Sequence, residues 1–243
     1  MEDSYYSAEE KGNGQPVLFL HGYLSCKESF YYQTQSLSRR FRTVAVDLPG
    51  FGKTPEPSYG YALDDYVDFA RAVIKERCGG RACIVAHSFG GRIAIKLAAE
   101  YPECVRCMIL TGCAGMKPRR NLKYRVKKGT YSFLKRVMPS RVDVWREKFS
   151  SSDYRALSPV MKESFVKITN EHLEGCLGKI SAPVLFVFGE KDTETPLYMA
   201  RRLYAGVKGS GLVIMKGCGH FCFSEDPVTF NAVAEEFLAG QTE

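Results

Sequence analysis

The sequence predicts an α/β fold built on a mostly parallel sheet, and three observations carry that reading. Short, wholly apolar runs recur along the chain and end in turn residues. Helical patterns with one apolar face lie between them. A single stretch, residues 116–177, lacks such runs and is dense in charge. Runs that are apolar at every position suit strands buried on both faces, and their alternation with helices suits a parallel sheet.

In chain order, Ser4–Glu9 is an expected antiparallel edge strand. Gln15–Leu20 is the first buried strand, opened by Pro16 and closed by His21-Gly22. Further strands are expected at Thr43–Val46, Ala82–Ala86, Cys107–Leu110, Val184–Phe188 and Leu212–Met215. Helices are expected at Cys26–Leu37, Tyr61–Lys75, Ser88–Glu100, Leu197–Tyr204 and Pro227–Leu238. The implied organisation is a core of residues 1–115 and 178–243, with residues 116–177 inserted between two strands as a helical cap.

Charge marks the insert as distinct. Between Met116 and Lys148, twelve lysines and arginines face two acids, a local +10 in a chain whose formal total is +7. A charge run is ordinarily a solvated face, but clustered cations also attract anions. No run approaches the roughly 18 apolar residues of a membrane-spanning helix, and the polar N-terminal stretch MEDSYYSAEEKGNG is unlike a signal peptide. Nine cysteines, an odd number scattered through apolar contexts, fit a reducing compartment better than a disulfide framework. A cytoplasmic location is therefore expected. Cys104 and Cys107 have CxxC spacing without a second pair and are read as structural.

The chemistry centres on Ile84–Arg92, "IVAHSFGGR". A strand running into Ser88 and then a helix is the setting in which a sharp turn exposes a serine hydroxyl. Such a turn needs small residues two before and two after; Gly90 meets this, and Ala86 departs by one methyl from G-x-S-x-G. Ser88 is also a favoured type for a helix N-cap, and the motif alone leaves both readings open.

A nucleophilic serine needs a base, and the base needs an orienting carboxylate. Of the four histidines, His220 sits in a glycine-flanked loop after the last strand. Asp192 follows the Val184–Phe188 strand in "GEKDTETP". The order Ser88, Asp192, His220 is the one expected of a triad on this architecture. Cys218 and Cys222 flank His220 without matching a closed zinc spacing, so neither metal nor cofactor is expected.

Four blocks, "VLFLHGYLSC", "VAVDLPGFGKT", "IVAHSFGGR" and "VLFVFGEKDTETP" with "GCGHFCF", resemble those of the α/β-hydrolase superfamily, specifically its small capped members. There is some similarity to acyl-carrier-protein methyl ester esterases and to the menaquinone-pathway lyase that eliminates pyruvate. The resemblance implies an oxyanion hole formed by the backbone N–H groups of Tyr23 and Phe89. It implies structural roles for His21, His87 and the turn at Asp47–Gly52. It also suggests Arg92 as a contact for substrate carboxylates, while Tyr124 and Trp145 are candidate pocket residues from the insert.

The resulting expectation is a carboxylesterase-type serine hydrolase working through an acyl-enzyme, its substrate a small ester, neutral or anionic. One alternative is a hydrolase or lyase whose basic cap docks an anionic substrate or an acidic carrier protein. A second is a ligand-binding receptor that retains the triad. Neither nucleic-acid binding nor stable membrane insertion is expected.

Overall fold

The computed structural model describes residues 5–119 and 152–241. Its centre is a seven-stranded sheet: β1 (Ala8–Lys11), β2 (Pro16–Leu20), β3 (Arg42–Val46), β4 (Ala82–His87), β5 (Val105–Thr111), β6 (Val184–Gly189) and β7 (Gly211–Met215). The spatial order is β1-β3-β2-β4-β5-β6-β7, with β1 antiparallel to β3 and all other neighbours parallel.

Both faces of the sheet are covered, which is why its central strands carry no polar alternation. Leu18, Leu20, Ile84, Ala86, Phe186 and Phe188 belong to one core cluster. Their neighbours Val17, Phe19, Cys83, Val85, Leu185 and Val187 belong to the other. The first face is covered by α2 (Leu63–Arg77), α3 (Phe89–Glu100) and α7 (Leu197–Gly206), and the second by α1 (Tyr31–Leu37), α8 (Cys222–Glu225) and α9 (Pro227–Ala239). α2 shows the sequence logic plainly. Leu63, Tyr66, Val67, Ala70, Val73 and Ile74 are buried along one stripe, and the Asp65 carboxylate accepts the Ala62 N–H at 2.7 Å to close the first turn.

The expected edge strand lies at Ala8–Lys11 instead of Ser4–Glu9, paired from Ala8↔Val46 to Lys11↔Thr43. Partner register, not local apolarity, fixes a half-exposed edge strand. β5 begins two residues before the apolar run because Val105 already pairs with Ala82.

After Arg119 the description resumes with α4 (Ser152–Ala156), α5 (Pro159–Asn170) and α6 (Glu174–Leu177). α5 opens with Pro159 at its first position, and the Ser158 hydroxyl accepts the Met161 N–H at 3.2 Å. α5 is tied to the core at several points. The Tyr23 hydroxyl donates to Met161 O at 2.9 Å, Tyr61 N donates to Ser164 Oγ at 2.8 Å, and Lys167 Nζ donates to Gly60 O at 2.6 Å.

From β2 the chain crosses outward to β3 and then returns to the other side of β2 as β4. The loops after β2 and β4 therefore diverge, and the crevice this leaves at the carboxyl ends of the strands is where ligands bind in open α/β sheets.

Candidate active site

Ser88 joins β4 to α3 with φ +49° and ψ −103°, a conformation that L-residues rarely adopt. Its surroundings hold it there. Ser88 N donates to Thr111 O at 3.1 Å, Ala114 N to Ser88 O at 3.2 Å, and Gly90 N to His21 O at 3.1 Å. A Cβ on Gly90 would lie 2.1 Å from Leu20 O, so no larger residue fits this turn. Ala86, in β4 between Leu20 and Leu110, is accommodated fully buried. The Ser88 side chain makes no capping hydrogen bond to α3, so the N-cap reading does not describe what this hydroxyl does.

The His21-Gly22 turn passes directly over the serine. A Cβ on Gly22 would stand 3.6 Å from Ser88 Cβ and 2.9 Å from His87 Cδ2. Only glycine allows the next peptide, that of Tyr23, to come so near. Phe89 is the first residue of α3, so its N–H has no i−4 carbonyl to bond. The Phe89 ring itself is buried, packed edge-on against Tyr66 and Tyr23. It does not line the cavity; Tyr23 does.

Asp192 and His220 come from the loops after β6 and β7. His220 Nδ1 donates to Asp192 Oδ2 at 2.8 Å. The carboxylate is fully occupied: Oδ1 accepts from Glu194 N at 2.9 Å and Thr195 N at 2.8 Å, and Oδ2 also accepts the Thr195 hydroxyl at 2.7 Å. Burial pushes the Asp192 acid upward in pKa, but the bonds from His220 and Thr195 outweigh it and leave the group below its ordinary value. Two glycines make room for the histidine loop. A Cβ on Gly189 would meet Gly219 O at 2.0 Å, and one on Gly112 would meet the His220 ring at 3.1 Å.

The other two histidines nearby are held neutral. His87 is brought down to about 3 by burial and then by the neighbouring His220, and its Nδ1 donates to Thr111 O at 3.1 Å. His21 is brought down to about 4, chiefly by burial; its Nδ1 donates to Gly22 O at 2.7 Å and its Nε2 accepts Leu48 N at 3.0 Å.

Ser88 and His220 line a common cavity of about 340 Å³. Tyr23, Leu24, Tyr154, Leu157 and Phe165 form its apolar wall, and Glu194 and Thr195 add polar groups. Phe165 of α5 sits edge-on to both Tyr23 and Tyr154, at 5.2 and 5.4 Å between ring centres.

Arg92 does not line this cavity. It lies on α3 one turn beyond Ser88, but its guanidinium is buried against the end of α5, where Nη1 donates to Ile168 O at 3.0 Å and Glu171 O at 2.8 Å. It caps the carbonyl end of that helix, as basic side chains do. Lys96, one turn further on, is paired with Asp64 and Glu171. The expected pocket residues Tyr124 and Trp145, and most of the basic run, lie outside the described residues.

Glu194, Thr195, Leu24 and Tyr154 were not anticipated. For the first two the available signal was closeness to Asp192, which does not reveal which way a loop side chain turns. All nine cysteines are free thiols, Cys104 and Cys107 included. Among the described residues no cluster of three or more His, Cys, Asp or Glu is arranged to hold a metal, and no helix is long and apolar enough to cross a membrane.

The profile of the Alpha/beta hydrolase family matches residues 17–233, nearly the whole of this scaffold. The chain belongs to that family. Among its relatives, the AB hydrolase superfamily protein YisY of Bacillus subtilis (strain 168) is 29% identical, over 94% of this chain and 93% of the relative. The pimeloyl-[acyl-carrier protein] methyl ester esterase of Nitrosomonas europaea is 28% identical, over 91% of this chain and 95% of the relative. In structure, the meta-cleavage product hydrolase CumD of Pseudomonas fluorescens IP01 superposes with a TM-score of 0.75. That match covers 97% of this chain and 94% of CumD at 24% identity, a likeness of fold.

Proposed function

We propose that this family member is a serine hydrolase that cleaves a carboxylic ester through Ser88, His220 and Asp192. The observation that carries the reading is the 2.8 Å Asp192–His220 pair beside a strand-end serine at positive φ, with serine and histidine on one cavity. Ser88 Oγ attacks the ester carbonyl while His220 Nε2 takes its proton. Asp192 keeps the ring in the tautomer that leaves Nε2 free and stabilises the imidazolium that forms. The N–H groups of Phe89 and Tyr23 receive the oxyanion, each typically worth ~3 kcal/mol in the transition state. His220 then returns the proton to the leaving alcohol, and water attacks the acyl-enzyme by the same route.

The ester preference draws support from the relative named as a methyl ester esterase and from an aromatic wall that accepts an acyl chain. Docking of an acidic carrier by the insert rests on the charge of residues 116–148 alone, and no lysine or arginine is among the described residues lining the cavity.

The test is covalent. Incubated with a fluorophosphonate, the protein gains the mass of one adduct, and Ser88→Ala gains none while retaining its circular dichroism spectrum. A folded wild-type protein that stays unlabelled overturns the assignment and puts the receptor reading in its place.

A further inference from the structure

We propose that the cavity selects esters that carry a positive charge, with Glu194 as the specificity-determining carboxylate; this rests on the serine-hydrolase reading above. Three observations converge on it. Glu194 is the acidic side chain among the described residues that line the cavity, and no lysine or arginine is among them. The rings of Tyr23, Tyr154 and Phe165 line the same space, and the electron-rich faces of aromatic rings attract ammonium groups. The loops that deliver Asp192 and His220, residues 189–196 and 217–226, carry five carboxylates against one lysine.

Rings around the site already seat cations within the chain. Arg119 lies 4.6 Å from the centre of the Tyr198 ring, and Lys162 lies 5.9 Å from that of Tyr154. Tyr198 belongs to the first turn of α7, four residues after Glu194 in sequence.

The position of Glu194 suits selection. Its backbone N–H is committed to Asp192 Oδ1 at 2.9 Å, which pins the residue beside the catalytic pair, while the residue lines the cavity and stays exposed to solvent. An ammonium on the substrate gains from this carboxylate without stripping a buried charge of water. A carboxylate on the substrate meets repulsion at the same place. Among the described lining residues the one fixed charge is thus opposite in sign to the +10 run in the sequence and to the chain's formal +7.

The experiment compares three butyrate esters: of choline, of its uncharged isostere 3,3-dimethylbutanol, and of an anionic hydroxy acid of similar size. For the wild type, kcat/KM is expected to fall in that order, choline ahead of the isostere by about 10-fold, and the gap to shrink with added salt because it is electrostatic. In Glu194→Gln the choline-to-isostere ratio is expected to drop to within about 2-fold of one, and in Glu194→Lys to invert. A wild type that turns over the isostere but shows no choline preference, or a preference that Glu194→Gln leaves unchanged, overturns the proposal and leaves the hydrolase reading standing. No turnover of any ester together with no fluorophosphonate adduct overturns both.

Discussion

Two buried carboxylates stand at the ends of parallel strands, and the groups they hold set them apart. Asp47, after β3, accepts Lys27 N at 2.7 Å, Lys27 Nζ at 2.9 Å and Lys53 N at 3.0 Å. Asp192, after β6, accepts two backbone N–H groups, a threonine hydroxyl and an imidazole. Both side chains are fully buried, and in both burial raises the pKa while hydrogen bonds more than reverse it. The partner makes the difference. An ammonium keeps its charge throughout the working pH range, so Asp47 serves as a fastening of the turn, closed so tightly that a Cβ on Gly52 would meet its carboxylate at 2.3 Å. An imidazole can exchange a proton, so the same arrangement of acceptors suits Asp192 to the catalytic role proposed for it.

The comparison breaks most sharply at Asp192. Asp192→Asn is expected to lower kcat by about 10⁴-fold through loss of the correct ring tautomer, with the thermal midpoint displaced by only a few degrees. Steady-state kinetics and calorimetry on the same preparation check both halves. Asp47→Asn reverses the pattern. It removes the buried carboxylate beside the 7% exposed Lys27 ammonium and leaves Glu28, at 2.9 Å, as that ammonium's acidic partner, a change that costs about 1–3 kcal/mol. The folded fraction is expected to keep kcat within a few-fold of wild type, with the loss read from urea unfolding.

The last of these effects sharpens the contrast between charged and neutral groups, since each carboxylate has a buried neutral histidine nearby. His21, in contact with Leu48 of the Asp47 turn, and His87, against His220, have folded pKa values of about 4 and about 3, below the ordinary 6.5. Their contribution is fully present above pH 6.5. It is lost as pH falls towards those values, because the unfolded chain takes up protons that the fold refuses. Between pH 7 and pH 5 the unfolding free energy is expected to fall by on the order of 3 kcal/mol. Urea midpoints across that range check it, and a flat profile would contradict the neutral assignment.

The sheet was legible because β2, β4 and β6 are apolar at nearly every position, and only strands covered on both faces read that way. Ser88, Asp192 and His220 were legible as positions because each follows a strand in a turn rich in small residues. A search for glycine alone at position 86 would have missed the elbow; reading the requirement as small size did not. Arg92 shows where such reading stops. Helical spacing correctly placed it one turn beyond Ser88, but its length let it reach the carbonyls of Ile168 and Glu171, and no local pattern announces a partner so distant in sequence. Glu194 was hidden for a related reason: in "KDTETP" several polar residues stand together, and only the folded loop decides which one meets the cavity.

The backbone bonds of the Ser88 elbow to other parts of the fold run to His21, Thr111 and Ala114 among the described residues, and all three precede residues 116–177. Asp192 and His220 arrive with β6 and β7, the two strands at the far edge of the sheet. Under the proposed triad, the chain is therefore synthesised with its nucleophile first and its base last. On that proposal a polypeptide released before β7 carries the serine without its base and is expected to be inactive. The order of parts along the chain would then act as a safety catch on the proposed chemistry.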